Sequence, residues 1–175
     1  MMLSNPTPNS NYLLDERIIF GWYPTPHSNG LFSNNILDLL KSGRDVFVNL
    51  TTFREKNSLY DYQPTVRVFR DNPVFIHYPI EDGGLPSDDV TFSHLINRLN
   101  LLLKENRKLY IHCRGGHGRS GLVAGCLLIS MGYEANVVLK MLSTAHGTRQ
   151  YLPDYPCPQT SAQVNYVLKY QHSSI

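Results

Sequence analysis

The run His112-Cys113-Arg114-Gly115-Gly116-His117-Gly118-Arg119-Ser120-Gly121 sets a cysteine and an arginine around five residues, three of them glycine. Glycine lets a backbone turn tightly with successive N–H groups pointing inward, which makes a nest for an anion. The apolar run Leu122 to Ile129 reads as a buried helix whose positive N-terminal end faces the same anion. Helix end, N–H groups and Arg119 all favour Cys113 as a thiolate. Such a thiolate suits attack on phosphorus. The loop from Arg114 through Gly115, Gly116, His117 and Gly118 to Arg119 would then hold the non-bridging oxygens. Ser120 can donate a hydrogen bond to the sulfur, easing its departure in a second step, or can cap the helix. His112 reads as a buried hydrogen-bonding brace or as an electrostatic influence on Cys113. No metal is expected from His112, Cys113 and His117, because neighbours in a tight loop do not converge on one ion. No cofactor is expected either.

A thiolate that displaces an ester oxygen needs an acid to protonate the leaving group. Asp82, in Pro79-Ile80-Glu81-Asp82-Gly83-Gly84-Leu85-Pro86, is the candidate, on a turn whose glycines permit motion. An ordinary turn carboxylate is the competing reading for Asp82 and for Glu81. Lys108-Leu109-Tyr110-Ile111 reads as the strand that delivers Cys113 to its loop.

The strand–loop–helix with His-Cys-x5-Arg-Ser resembles the phosphate-binding loop of the protein tyrosine phosphatase superfamily. The resemblance favours Asp82 as general acid, since dual-specificity phosphatases carry an aspartate before small residues at a comparable place ahead of the cysteine. Gln159-Thr160-Ser161-Ala162-Gln163 resembles the Gln-Thr-x-x-Gln segment of tyrosine-specific members and of the cyclin-dependent-kinase-associated branch. That match implies that Gln159 positions the hydrolytic water and Gln163 assists; a polar first helical turn is the other reading. The Pro79–Gly84 stretch and Gln-Thr-x-x-Gln look closest to the cyclin-dependent-kinase-associated branch of dual-specificity phosphatases, and the short length fits dual-specificity rather than the larger tyrosine-specific domains. The resemblance implies a shallow pocket open to phosphotyrosine, phosphoserine and phosphothreonine, without metal. The stretch between Arg149 and Gln159 looks longer than in that branch, so its pocket rim is not carried over.

Arg114 and His117 also occupy positions that are basic in phosphoinositide-cleaving relatives, which makes a polyanionic phosphate the rival substrate, ahead of a 5′-RNA phosphate. A catalytically silent phospho-binding module is the alternative of another class, and intact Cys113, Arg119 and Asp82 speak against it. Glu55 reads as a surface carboxylate, with an ion pair to Arg119 as the less favoured reading. Cys126 belongs to the core, and Cys157 is either a bystander or a thiol that traps oxidised Cys113.

These residues need a scaffold, and the chain supplies one. Strands are expected at Ile18-Ile19-Phe20, Asp45 to Leu50, Val66-Arg67-Val68, Val74 to Tyr78 and the segment before Cys113. Helices are expected from a Ser33 cap through Ile36, Leu37, Leu39 and Leu40 towards Gly43, and from a Ser87 cap through Val90, Leu95, Leu99, Leu102 and Leu103. Others are expected after Cys113, near Glu134 to Ser143, and from about Gln159 to Tyr170. Thr51 to Pro64 reads as a polar loop. The alternation points to an α/β fold, and the resemblance implies a central mixed sheet flanked by helices, of cysteine-phosphatase (dual-specificity) type. Residues 1–14 are expected to form a loose arm and 15–175 a single catalytic domain. With 42% hydrophobic and 17% charged residues among 175 and a net charge of +2, the composition is globular and shows no basic stripe for nucleic acid. Three separated cysteines, no membrane-span-length apolar run and no signal-peptide pattern suggest an intracellular protein, cytoplasmic or nuclear, acting on a phosphoprotein.

Overall fold

The computed structural model describes residues 4–25 and 35–172. Along them run β1 (Ser10–Leu13), β2 (Ile18–Gly21), α1 (Asn35–Lys41), β3 (Val46–Asn49), α2 (Phe53–Lys56), α3 (Gln63–Phe69), β4 (Val74–His77), α4 (Asp89–Lys104), β5 (Leu109–His112), α5 (Arg119–Ser130), α6 (Ala135–His146) and α7 (Ser161–Lys169). The strands form one sheet in the order β1-β2-β5-β3-β4. β2, β5, β3 and β4 are parallel and β1 pairs antiparallel to β2, so the sheet is mixed, in agreement with the α/β reading.

Strand alternation sends successive side chains to opposite faces. Ile18, Phe20, Val46, Val48, Leu109 and Ile111 join the larger core with Phe92, Leu99, Leu127, Leu142 and Val167 from α4 to α7. Ile19, Phe47 and Tyr110 point the other way and pack with Ile36, Leu39 and Leu40 of α1 and Val66 of α3. Both faces are covered, which is why the central strands read as nearly unbroken apolar runs. Gly21 and Asn49 both stand in register with His112, so three parallel strands end together. The crevice beyond the carboxyl ends of such strands is where open α/β sheets bind ligands.

Several expectations are corrected. Val66-Arg67-Val68 lies within helix α3, where Pro64 fits the first turn and only Val66 faces the core; Val68 is 78% exposed. A three-residue alternation carries no helix–strand distinction. Asp88, not Ser87, caps α4, its carboxylate accepting the Thr91 amide at 2.8 Å at the positive helix end. The loose arm to residue 14 is overturned at Ser10–Leu13, which pairs with β2 and is largely buried; its polar Ser10 and Asn11 are enclosed through hydrogen bonds, a pattern that reads as a loop in sequence. Ser33 lies outside the described residues. No helix among the described residues is long and apolar enough to cross a membrane.

Candidate active site

β5 carries His112 to its end and leaves Cys113 at the mouth of the loop, beneath the start of α5. Gly116 adopts a φ of +70°, and an added Cβ there would lie 2.3 Å from the Gly21 carbonyl carbon, so only glycine fits. The turn aims the Gly116 amide at the Cys113 Sγ, 3.1 Å away, and Ser120 Oγ stands 3.6 Å from the same sulfur. The amides of Gly115, His117, Gly118 and Arg119 donate to no protein acceptor among the described residues, which leaves them free for an oxyanion.

The Arg119 guanidinium is 1% exposed and clamped on three sides. Nη1 donates to Glu55 Oε2 at 2.7 Å and to the Ile80 carbonyl at 3.0 Å, and Nη2 to Glu55 Oε1 at 2.8 Å. Asp82 Oδ1 lies 3.2 Å from Nη2 with its side chain 76% exposed, so the candidate acid stands at the pocket mouth beside the cation. Arg119 Nε has no protein partner among the described residues.

Glu55 therefore corrects the surface-carboxylate reading. It is the third residue of α2, and its carboxylate also accepts the Thr52 amide at 2.9 Å while Thr52 Oγ1 accepts the Glu55 amide. Thr52-x-x-Glu55 is a capping-box pattern, and that signal would have split the supposed 51–64 loop. Burial by itself would raise the Glu55 carboxyl, but the bonds from Arg119 and Thr52 outweigh it and bring the pKa down to about 2. A folded-state pKa below the ordinary 4.5 gives stabilisation that is complete above that value and lost as pH falls towards about 2. The stability gap between wild type and Glu55→Gln, measured by thermal unfolding across pH, should accordingly narrow below about pH 4.5. A gap that stays constant through that range would contradict the ion pair.

His112 is enclosed, with Nε2 2.7 Å from the Tyr62 hydroxyl and Tyr23 edge-on at 5.1 Å. Burial pushes its pKa down to about 3, so it is neutral and acts as a brace rather than as a positive charge. His117 turns its Nδ1 to the Pro156 carbonyl at 2.9 Å and stacks on His146 at 5.3 Å. Burial likewise holds His117 below the ordinary histidine range, leaving exposed Arg114 as the charged side chain of that pair of loop positions.

Gln159 leans over the loop: a Cβ on Gly118 would lie 2.8 Å from Gln159 Oε1. Gln163 is fully buried in the α7 capping box, its Oε1 accepting the Gln159 and Thr160 amides at 3.1 and 3.2 Å. Cys126 is core. The Cys157 thiol packs against Gly121, and burial drives its pKa up to about 12, a protonated interior thiol at neutral pH.

Sequence reasoning missed Arg149. Its buried guanidinium donates to Asn11 Oδ1 at 2.6 Å, the Gly116 carbonyl at 2.8 Å and the Phe20 carbonyl at 3.2 Å. It lies over the Phe20 ring and has no carboxylate partner among the described residues. In a trans peptide the His117 N–H points opposite to the Gly116 carbonyl that Arg149 holds, so this bond sets the orientation of a loop amide. A lone arginine after Gly-Thr offers no sequence signal for this contact.

Comparison with known proteins adds to the geometry. The family model described as Cyclin-dependent kinase inhibitor 3 (CDKN3) matches residues 34–137. Protein 197R of Invertebrate iridescent virus 6, which carries the name tyrosine phosphatase, is 34% identical over 93% of this chain and 53% of its own length. Cyclin-dependent kinase inhibitor 3 of Rattus norvegicus is 43% identical over 53% of this chain and 43% of its own. The chain spans about half the length of these relatives. The crystal structure of kinase associated phosphatase with its catalytic-site cysteine changed to serine superposes with a TM-score of 0.67 at 24% identity, over 86% of this chain and 83% of that one.

Proposed function

Since the chain belongs to the Cyclin-dependent kinase inhibitor 3 family of the protein tyrosine phosphatase superfamily, we propose that it hydrolyses phosphate monoesters on proteins through a phosphocysteine at Cys113. The observation that carries this reading is the Gly116 amide 3.1 Å from Cys113 Sγ, with Arg119 fixed on the same loop. The sulfur attacks phosphorus while the free loop amides and Arg119 hold the three non-bridging oxygens. A bound phosphate exchanges the Arg119–Asp82 contact for an Arg119–phosphate one. Asp82 then faces the leaving oxygen and gives it a proton as the P–O bond breaks. Gln159 next orients water towards the phosphocysteine, Asp82 takes its proton, and the Ser120 hydroxyl supports the departing thiolate.

Phosphotyrosine is the substrate with phosphoserine and phosphothreonine beside it, and the name of the kinase associated neighbour makes a phosphorylated kinase the first protein to try. The body from β1 at Ser10 onward acts as one catalytic unit inside the cell. Neutral His117 weighs against a polyanionic lipid headgroup, since of the two basic loop positions Arg114 is then the charged one. Turnover of a phosphopeptide panel beside soluble phosphoinositides tests this; faster release from the phosphoinositides would reverse the assignment.

The role of Gln159 has its own signature. Gln159→Ala should slow breakdown of the phosphocysteine more than its formation, so rapid-quench kinetics on an aryl phosphate should show a burst and then slow turnover. Uniform slowing of both steps with no burst would reduce Gln159 to a helix-start residue.

A further inference from the structure

The acid-bearing turn is not the free loop its glycines suggest. Glu81 to Gly84 close on themselves through the Gly84 amide on the Glu81 carbonyl at 2.8 Å, with Asp82 second in the turn and Gly83 at a φ of +70°. On one flank Ile80 is held through its amide to the Leu50 carbonyl and through its own carbonyl to Arg119, each at 3.0 Å. On the other flank the capping box of α7 reaches across. Gln163 Nε2 donates to the Gly84 carbonyl at 3.0 Å and Thr160 Oγ1 to the Gly83 carbonyl at 3.3 Å.

We propose that Gln163 and Thr160 are positioning residues that latch the acid turn to the start of α7, an inference that rests on the phosphatase reading above. A capping box needs only acceptors: Thr160 Oγ1 takes the Gln163 amide and Gln163 Oε1 takes the Gln159 and Thr160 amides. Aspartate at the first position and glutamate at the fourth would fill that role equally well. Threonine and glutamine differ from them in carrying a donor besides, and in both cases the donor goes to the acid turn. A turn with two glycines has much conformational freedom to lose, so two pins on its carbonyls narrow where Asp82 can stand. Gln163 also joins the two half-reactions. One end of its amide fixes the turn that carries the acid, and the other holds the backbone of the residue that orients water.

The test separates cap from latch. Gln163→Glu keeps the acceptor for both amides and loses the donor, setting a carboxylate oxygen against the Gly84 carbonyl. Thr160→Asp keeps the helix cap and loses the donor to Gly83, so it serves if the first variant folds poorly. Turnover is measured with phenyl phosphate, a poor leaving group, and with dinitrophenyl phosphate, an activated one. Gln163→Glu should lose about tenfold on the phenyl ester and several times less on the activated ester. Thr160→Asp should show the same pattern, weaker. In an Asp82→Asn background Gln163→Glu should cost nothing more on the phenyl ester, since the latch then has no acid to place. Equal losses on both esters, or full additivity with Asp82→Asn, would overturn the latch and leave Gln163 a structural cap. Wild type no faster than Cys113→Ser on the activated ester would instead overturn the phosphocysteine reading, and the latch with it.

Discussion

Replacing Cys113 by serine should cut turnover by at least about 10⁴-fold while phosphate binding survives. The two halves of that result come from different groups. Turnover needs a nucleophilic sulfur, and the Gly116 amide and Ser120 hydroxyl are placed to stabilise it as a thiolate. A serine hydroxyl stays protonated and is a far weaker nucleophile. Binding needs the loop amides and Arg119, whose position is set by Glu55 and the Ile80 carbonyl rather than by Cys113. Single-turnover release from an aryl phosphate, beside calorimetric titration with inorganic phosphate, reads both halves. Activity near wild type would end the phosphocysteine mechanism; loss of phosphate binding would mean that the loop had not kept its shape.

The second large effect is expected at Asp82. Asp82→Asn should lower turnover by roughly 10²–10⁴-fold on esters with poor leaving groups, because Glu55, the other carboxylate on Arg119, is held ionised with a pKa of about 2 and does not supply the proton. The loss should shrink as the leaving oxygen becomes able to depart unprotonated. Asparagine matches the carboxylate in size and leaves the turn bonds of Gly83 and Gly84 in place, so the comparison isolates the proton. A loss of the same size along a leaving-group series would make Asp82 a structural partner of Arg119 and nothing more.

The parts of the site that sequence makes visible are those written in consecutive residues. Cys113 to Gly121 specify turn, anion nest and helix start within ten positions, and Asp82 sits in a turn with its own glycines. The invisible parts depend on contacts between distant segments. Glu55 meets Arg119 across 64 positions, and only its local Thr52 box is readable. Arg149 and Tyr62 look like any surface arginine and loop tyrosine until the sheet brings them under the loop. Val66 to Val68 misleads for the opposite reason: a local alternation mimics a strand although Pro64 fits the first turn of a helix. At β1 the polar side chains concealed a strand, because Asn11 is satisfied by α6 and by Arg149 rather than by water.

Arg149 makes the pocket a reporter of the whole chain's order. Its guanidinium ties Asn11, Phe20 and Gly116 together, bridging up to 138 positions of sequence. Contacts of such separation carry a loop-closure cost that is repaid only when both ends of the chain are in place. A nascent fragment that stops before Arg149 lacks the guanidinium that holds the Gly116 carbonyl, however complete its sheet. In the finished protein the same guanidinium links the loop to an edge strand, where local opening begins at less cost than global unfolding. Gentle heating or proteolysis near the N-terminal edge should abolish the proposed phosphatase turnover while most of the secondary structure still stands.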